Sequence, residues 1–140
     1  MTVLVTGGAG YIGSHMVLAL LDAGEQVVVL DDLSTGFRAA VKHPAKLIVG
    51  DIGEAALVDG ILSSHKVDAI AHFAAKIVVS ESTAAPLHYY LDNTVKARTL
   101  IDCALRGKIN HFIFSSTAAV YGEPPGTPIN ETDPLAPINP

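Results

Sequence analysis

The sequence predicts an α/β protein built on a doubly wound parallel sheet, and three observations carry that prediction. Short, continuous aliphatic and β-branched runs alternate with stretches of helical periodicity along the chain. A glycine triad spaced G-x-x-G-x-x-G, at Gly7, Gly10 and Gly13, separates the first such run from the first helical stretch. A carboxylate, Asp31, ends the second run at about 20 residues beyond the glycine turn. Together they describe a Rossmann-type sheet, incomplete, with about five strands.

The first strand candidate, Val3 to Thr6, runs into Thr6-Gly7-Gly8-Ala9-Gly10-Tyr11-Ile12-Gly13-Ser14-His15. Gly7 turns the chain off the strand, Gly10 lets backbone amides approach a phosphate, and Gly13 lets the next helix pack close to the sheet. That helix, from about Ile12 to Ala23, repeats Ile12, His15, Met16, Ala19 and Leu20 at helical spacing, with Gly24 at the C′ position. Its N-terminal amides and partial positive charge face an anion, so the segment reads as a pyrophosphate cradle.

The second strand, Val27 to Asp31, places the Asp31 carboxylate where adenosine ribose hydroxyls would donate to it. A 2′-phosphate would meet that carboxylate, which favours NAD over NADP; Arg38, in a weak connection around Gly36 to Val41, is the nearby cation bearing on that preference. The third strand, Leu47 to Val49, leads into Gly50-Asp51-Ile52 and a helix from Glu54 to Ser63. Asp51 there either accepts from an adenine amino group or caps the helix.

The fourth strand, Ala69 to Phe73, continues into Ala74-Ala75-Lys76, small residues where a cofactor would press on the chain. Lys76 either meets a phosphate or ribose or is a solvated charge. His72 reads as a satisfied core histidine rather than a catalyst. The longest helix, Pro86 to Leu105, carries Leu87, Tyr90, Leu91, Thr94, Val95, Arg98, Ile101, Ala104 and Leu105 on one stripe and is closed by Gly107. Asn93 among those apolar positions needs a hydrogen-bond partner, as a bridge from helix to strand or as a cofactor contact. The fifth strand, Phe112 to Ser115, opens a row of hydroxyls in Ser115-Ser116-Thr117, which either donate to a substrate oxygen or satisfy the strand-end backbone. From Tyr121 the segment Gly122-Glu123-Pro124-Pro125-Gly126-Thr127-Pro128 and prolines at 134, 137 and 140 read as a loop. A sheet ending there leaves an uncovered edge, so a larger protein is expected.

A net charge of −5 without any Lys/Arg cluster argues against a nucleic-acid or anionic-membrane surface. The 49% hydrophobic content suffices for a core, yet no run reaches the roughly 18 to 20 apolar residues of a membrane span. No basic segment precedes the first apolar run and glycines break that run, so no signal peptide is expected. The single cysteine, Cys103, reads as a small buried residue and suits a reducing compartment, so a cytoplasmic location is expected. No grouping of side chains reads as a metal site.

These segments resemble the extended short-chain dehydrogenase/reductase family. The residues carrying the likeness are Thr6 to His15, Asp31-Asp32-Leu33-Ser34, Gly50-Asp51-Ile52, His72-Phe73-Ala74-Ala75, Asn93 and Phe114 to Gly122, which span essentially the whole chain. Tyr11-Ile12-Gly13-Ser14-His15 followed by Asp31-Asp32-Leu33-Ser34 tilts the likeness toward the branch that epimerises nucleotide sugars at C4. The resemblance implies a bound NAD, a UDP-hexose substrate contacted mostly by residues beyond this chain, and hydride abstraction and return at C4 through a 4-keto sugar. It implies that Gly7, Gly10, Tyr11, Ile12 and Gly13 line the pyrophosphate, Asp31 the ribose, and Asp51 with Ile52 the adenine. Phe73, Ala74, Ala75, Lys76, Asn93 and Ser115 would adjoin the cofactor, and the Thr117 hydroxyl would bond the sugar 4-oxygen as the catalytic group of this chain. Tyr121 is open to packing or substrate contact.

Two departures stand out. Many relatives carry the cofactor lysine one position later, where Ile77 stands. The family's Tyr-x-x-x-Lys pair, whose tyrosinate acts as base with its pKa lowered by the lysine, is absent. Residues 1–140 are thus expected to form one NAD-binding domain whose 118–140 loop leads to the catalytic helix, and to be inactive alone. A nucleotide-sugar dehydratase or reductase of the same family, and a non-catalytic NAD-sensing module, remain alternatives. The long helix is the sort of element through which relatives dimerise, which leaves a homodimer open.

Overall fold

The computed structural model describes residues 1–124, 126 and 128–140. In chain order the elements are β1 (Thr2–Thr6), α1 (Tyr11–Asp22), β2 (Gln26–Asp31), β3 (Lys46–Val49), α2 (Ala55–Ser64), β4 (Ala69–His72), α3 (Val79–Ala84), α4 (Pro86–Tyr89), a π-helical turn (Tyr90–Val95), α5 (Lys96–Arg106) and β5 (His111–Phe114). Single 3-10 turns occupy Arg38–Ala40 and Ala118–Tyr121. The five strands form one parallel sheet in the order β3-β2-β1-β4-β5. The expected doubly wound α/β architecture is present, and strand ends differ from the sequence reading by one residue, as fraying ends do.

Both sheet faces are covered, which is why the strands read as unbroken apolar runs. On one face Leu4, Val28, Leu30 and Ile70 meet Val58, Ile61 and Leu62 of α2 and Leu100 and Cys103 of α5. On the other, Val3, Val5, Val27, Val29, Ala69 and Ala71 meet Val17 of α1, with Leu20 and Leu21 beside it. Cys103 is buried and unpaired, as expected of a small apolar residue. His72 is satisfied inside the core: its Nδ1 lies 2.6 Å from the Thr6 hydroxyl, and its ring packs between Phe112 and Phe114.

The helical readings need correction. The stretch from Pro86 to Leu105 is not one regular helix, because the π turn inserts an extra residue per turn and rotates everything after it. Consequently α5 buries Ala97, Leu100, Cys103 and Ala104. The expected stripe members Leu87, Tyr90, Leu91, Val95, Ile101 and Leu105 are instead exposed. In α1 the buried positions are Gly13 and Val17, one step away from the Ile12–Met16 register. Helix α3 was not legible in the sequence. Gly107 is the cap residue of α5 but not its left-handed one: Lys108 takes φ +56°, and the amides of Lys108 and Ile109 close on the carbonyls of Leu105 and Ala104.

Within the expected loop the 3-10 turn at 118–121 is ordered by the segment behind it, since the Ala136 amide donates to the Val120 carbonyl at 2.9 Å. The loop reading at Pro125 and Thr127 lies outside the described residues. On the edge strand β5, Ile113 and Phe114 are exposed. Among the described residues no helix is long and apolar enough to cross a membrane, and no group of His, Cys, Asp or Glu is placed to hold a metal ion.

The rotated register gives a direct test by urea unfolding of this chain. Leu100→Ala should lose about 2–5 kcal/mol, whereas Ile101→Ala, on the face the sequence stripe favoured, should lose less than about 1 kcal/mol. Burial holds the His72 imidazole down at a pKa of about 4. Because the unfolded imidazole takes up its proton near pH 6.5 and the folded one only near 4, stability falls as the pH drops through that window. Between pH 7 and 5 the wild type should lose on the order of 1–2 kcal/mol more than His72→Gln, as read from urea midpoints at the two pH values.

Candidate functional site

The order β3-β2-β1-β4-β5 reverses direction between β1 and β4, and at such a switch point a crevice opens above the carboxyl ends of the strands. The glycine loop lies across it. Gly7, at φ +71°, sits so close to the end of β4 that a Cβ there would stand 2.6 Å from the Ala74 amide nitrogen and 2.7 Å from the Phe73 carbonyl carbon. A Cβ on Gly13 would overlap the carbonyl oxygen of Gly7. Gly13 therefore seats α1 on the Gly7–Gly8 backbone itself, which is closer than the helix-to-sheet contact expected of it.

The N-terminus of α1 has Gly10 at the cap, no side-chain cap and no acidic residue in its first turn. A side-chain cap typically contributes about 0.5–2 kcal/mol, and its absence leaves the first-turn amides and the helix dipole directed at the crevice. Tyr11 and Ile12 flank this opening and are exposed, the Tyr11 ring lying edge-on to His15 at 5.0 Å between centroids. Backbone amides in a water-accessible notch, with no competing carboxylate in the first turn, form a cradle for a phosphate group.

Asp31 closes the β2 side. It is buried; Oδ2 accepts the Ala9 amide and Oδ1 the Leu33 amide, each at 2.9 Å. These bonds tie the glycine loop to the end of β2 and leave each oxygen with further acceptor capacity. Next to it, Asp32 loses some acidity through partial burial. Hydrogen bonds from the Ser34 hydroxyl and amide, helped by the positive charges of Lys96 and Lys76, outweigh that effect, and the carboxyl is held below its usual range.

At the end of β3 the Asp51 Oδ1 accepts the Gly53 amide at 2.7 Å and Oδ2 pairs with the Lys96 ammonium at 2.6 Å. Asp51 does not cap α2, whose cap position is Glu54. The Ile52 side chain enters the core, so only its backbone is free for a ligand.

Beyond β4 the chain is pinned by Asn93 of the π turn. Its Oδ1 accepts the Lys76 amide at 2.8 Å, and its Nδ2 donates to the Lys76 carbonyl at 2.9 Å. The Asn93 amide is thus the bridge anticipated as one of its two roles, reaching a loop rather than a strand. Phe73 packs in part against the core and Ala75 is exposed. Ser115 extends the β4–β5 pairing through its amide, which donates to the His72 carbonyl at 3.1 Å. The Thr117 hydroxyl accepts the Ala119 amide at 3.2 Å. It thereby caps the 118–121 turn and keeps its own O–H as a donor.

Gly7, Gly10, Gly13, Asp31, Asp51, Phe73 and Ala74 therefore gather along one edge of the sheet, while Ser115 and Thr117 follow the last strand at the same edge. Two participants were missed by sequence reasoning. Lys96 shows locally only its i,i+4 partner Asp92, since Asp51 is 45 positions away on another element. Gly36 had a local signal, a glycine after the acidic strand end; a Cβ there would stand 2.8 Å from the Ala9 Cβ and 3.0 Å from Asp31 Oδ1.

The chain is similar to known proteins over nearly its whole length. The chain is 54% identical over 138 residues to the UDP-glucose 4-epimerase of Azospirillum brasilense, covering 99% of this chain and 40% of that protein. A crystal structure of a UDP-glucose 4-epimerase superposes with a TM-score of 0.96 at 41% identity, over 99% of this chain and 42% of the other. The Brucella ovis UDP-glucose 4-epimerase, solved in complex with NAD, gives 0.93 at 39% identity, over 99% and 42%. The chain thus spans about 40% of the length of the relatives it matches. Residues 3–140 match the NAD dependent epimerase/dehydratase family from one end of the sheet to the other, and the chain belongs to that family.

Proposed function

We propose that these 140 residues form the NAD-binding domain of a UDP-glucose 4-epimerase, with the 118–140 segment leading toward the helix that bears the catalytic base. The observation that carries the reading is the uncapped α1 N-terminus above the Gly7 loop, packed on the β4 end, in a chain alike over its whole length to such epimerases. A dinucleotide pyrophosphate fits that cradle because a side chain at Gly7 or Gly13 has no room and backbone amides are the available donors.

On this reading Gly7, Gly10, Tyr11, Ile12 and Gly13 line the pyrophosphate, and Asp31 accepts the ribose hydroxyls on its remaining lone pairs. Its charge disfavours a 2′-phosphate. Asp51 and the Ile52 backbone receive the adenine; Phe73, Ala74, Ala75 and Ser115 flank the cofactor. Asn93 and the Lys76 backbone fix the loop beside it. Bound NAD supplies the chemistry of accepting a hydride from sugar C4 and returning it. Thr117 presents its free O–H to the 4-oxygen, orienting the sugar and stabilising charge as its proton leaves. The base belongs to a Tyr-x-x-x-Lys pair that this sequence does not contain, so residues 1–140 by themselves are expected to bind NAD poorly or in part and not to turn over substrate. The UDP-hexose and a second copy of the protein complete the assembly, the exposed Leu91, Val95 and Ile101 offering an apolar face for that copy.

The full-length protein should carry NAD and interconvert UDP-glucose and UDP-galactose without net cofactor consumption. Bound NAD with no interconversion, or accumulation of a 4-keto sugar, would sink the epimerase reading, the latter in favour of a dehydratase. In the same protein Thr117→Ala should lower kcat about 100-fold with unchanged NAD content. Thr117→Ser, which keeps both the turn cap and the donor, should restore most of the rate.

A further inference from the structure

Lys96 opens α5 immediately after the π turn, and its side chain runs back across the sheet edge to the end of β3. Its ammonium lies 2.6 Å from Asp51 Oδ2 and 2.6 Å from Asp92 Oδ1. Its aliphatic stem passes so near Gly53 that a Cβ there would stand 2.9 Å from the Lys96 Cγ. Gly53 in turn donates its amide to Asp51 Oδ1 at 2.7 Å. The Asp51 carboxylate is therefore clamped at both oxygens, by an amide on one side and an ammonium on the other, and the missing side chain at Gly53 makes room for the clamp. Each oxygen retains acceptor capacity toward the crevice.

Partly exposed ion pairs add little to stability, so the closeness of this fit points to orientation. Both carboxylates hold the Lys96 ammonium firmly protonated. Two aspartates thus share one cation, whose charge also reaches Asp32, at the edge of the crevice. Asp51 is the one at the strand end, where the purine of a dinucleotide comes to rest.

We propose that Lys96 is a positioning residue for the purine end of the cofactor: by fixing the Asp51 carboxylate it makes the crevice select a purine with an exocyclic amine over one with a carbonyl. The amine donates to the clamped carboxylate, whereas a carbonyl oxygen at the same place meets like partial charge. A carboxylate freed from Lys96 turns about its side-chain bonds and no longer distinguishes the two. The proposal rests on Asp51 being the adenine acceptor, as read above.

The test uses the full-length protein, freed of cofactor, and competition between NAD and nicotinamide hypoxanthine dinucleotide, which replaces the purine 6-amine by a carbonyl and carries a proton on N1. The wild type should prefer NAD by about tenfold or more, and Lys96→Met should reduce the preference below about threefold. A merely structural role would weaken both dinucleotides alike and leave the ratio unchanged. Lys96→Gln, which keeps the stem against Gly53, gives the same measurement if the methionine form does not fold. An unchanged ratio in the folded variants, beside a wild type that discriminates, overturns the role of Lys96 alone. Equal affinities in the wild type, with NAD still bound, overturn the adenine role of Asp51 and this proposal with it.

Discussion

The cleft depends on how closely the backbone approaches itself where β1 ends. Gly7 touches the first peptide beyond β4, and Gly13 brings α1 down onto the carbonyl of Gly7, so loop, helix and neighbouring strand meet without intervening side chains. Any Cβ at either position would force the helix off the sheet or the loop out of the crevice. That single constraint sets the direction of the α1 dipole and the position of its free amides, and it leaves the switch point between β1 and β4 open above them.

Around this contact the acidic side chains act first as organisers of backbone. Asp31 gathers the Ala9 and Leu33 amides, Asp32 the Ser34 amide and hydroxyl, and Asp51 the Gly53 amide. Carboxylates that accept backbone amides fix the turns around the crevice, which is how a chain with a net charge of −5 still forms a notch for an anion. The favourable charge for the ligand comes from oriented amides rather than from a basic patch, and Lys96 and Lys76 offset the carboxylates at the rim.

The π turn has the second-largest influence. One added residue carries Asn93 to the loop after β4 and turns Ala97, Leu100, Cys103 and Ala104 inward, so that every apolar member of the expected stripe, Ala104 apart, faces solvent. The apolar residues of that stripe fit an interface with other parts of the protein or with a second copy. Periodicity recorded that they share a face, and it had no means of saying which surface the face would meet.

Much of the architecture was legible because its causes are local. Unbroken apolar runs mark strands covered on both faces, G-x-x-G-x-x-G after the first marks a close backbone turn, and an aspartate at the second strand end marks the rim of the cleft. These cues put Gly7, Gly10, Gly13, Asp31, Asp51 and Thr117 at the carboxyl ends of their strands, where the structure also has them. What tertiary structure alone decided were relations between distant segments: the Thr6–His72 pair, the Asn93 clasp on Lys76, the Lys96 clamp on Asp51 and the rotated face of α5. A side chain's partners follow from which elements become neighbours, and neighbourhood is fixed by packing and helix register, neither of which a linear spacing records.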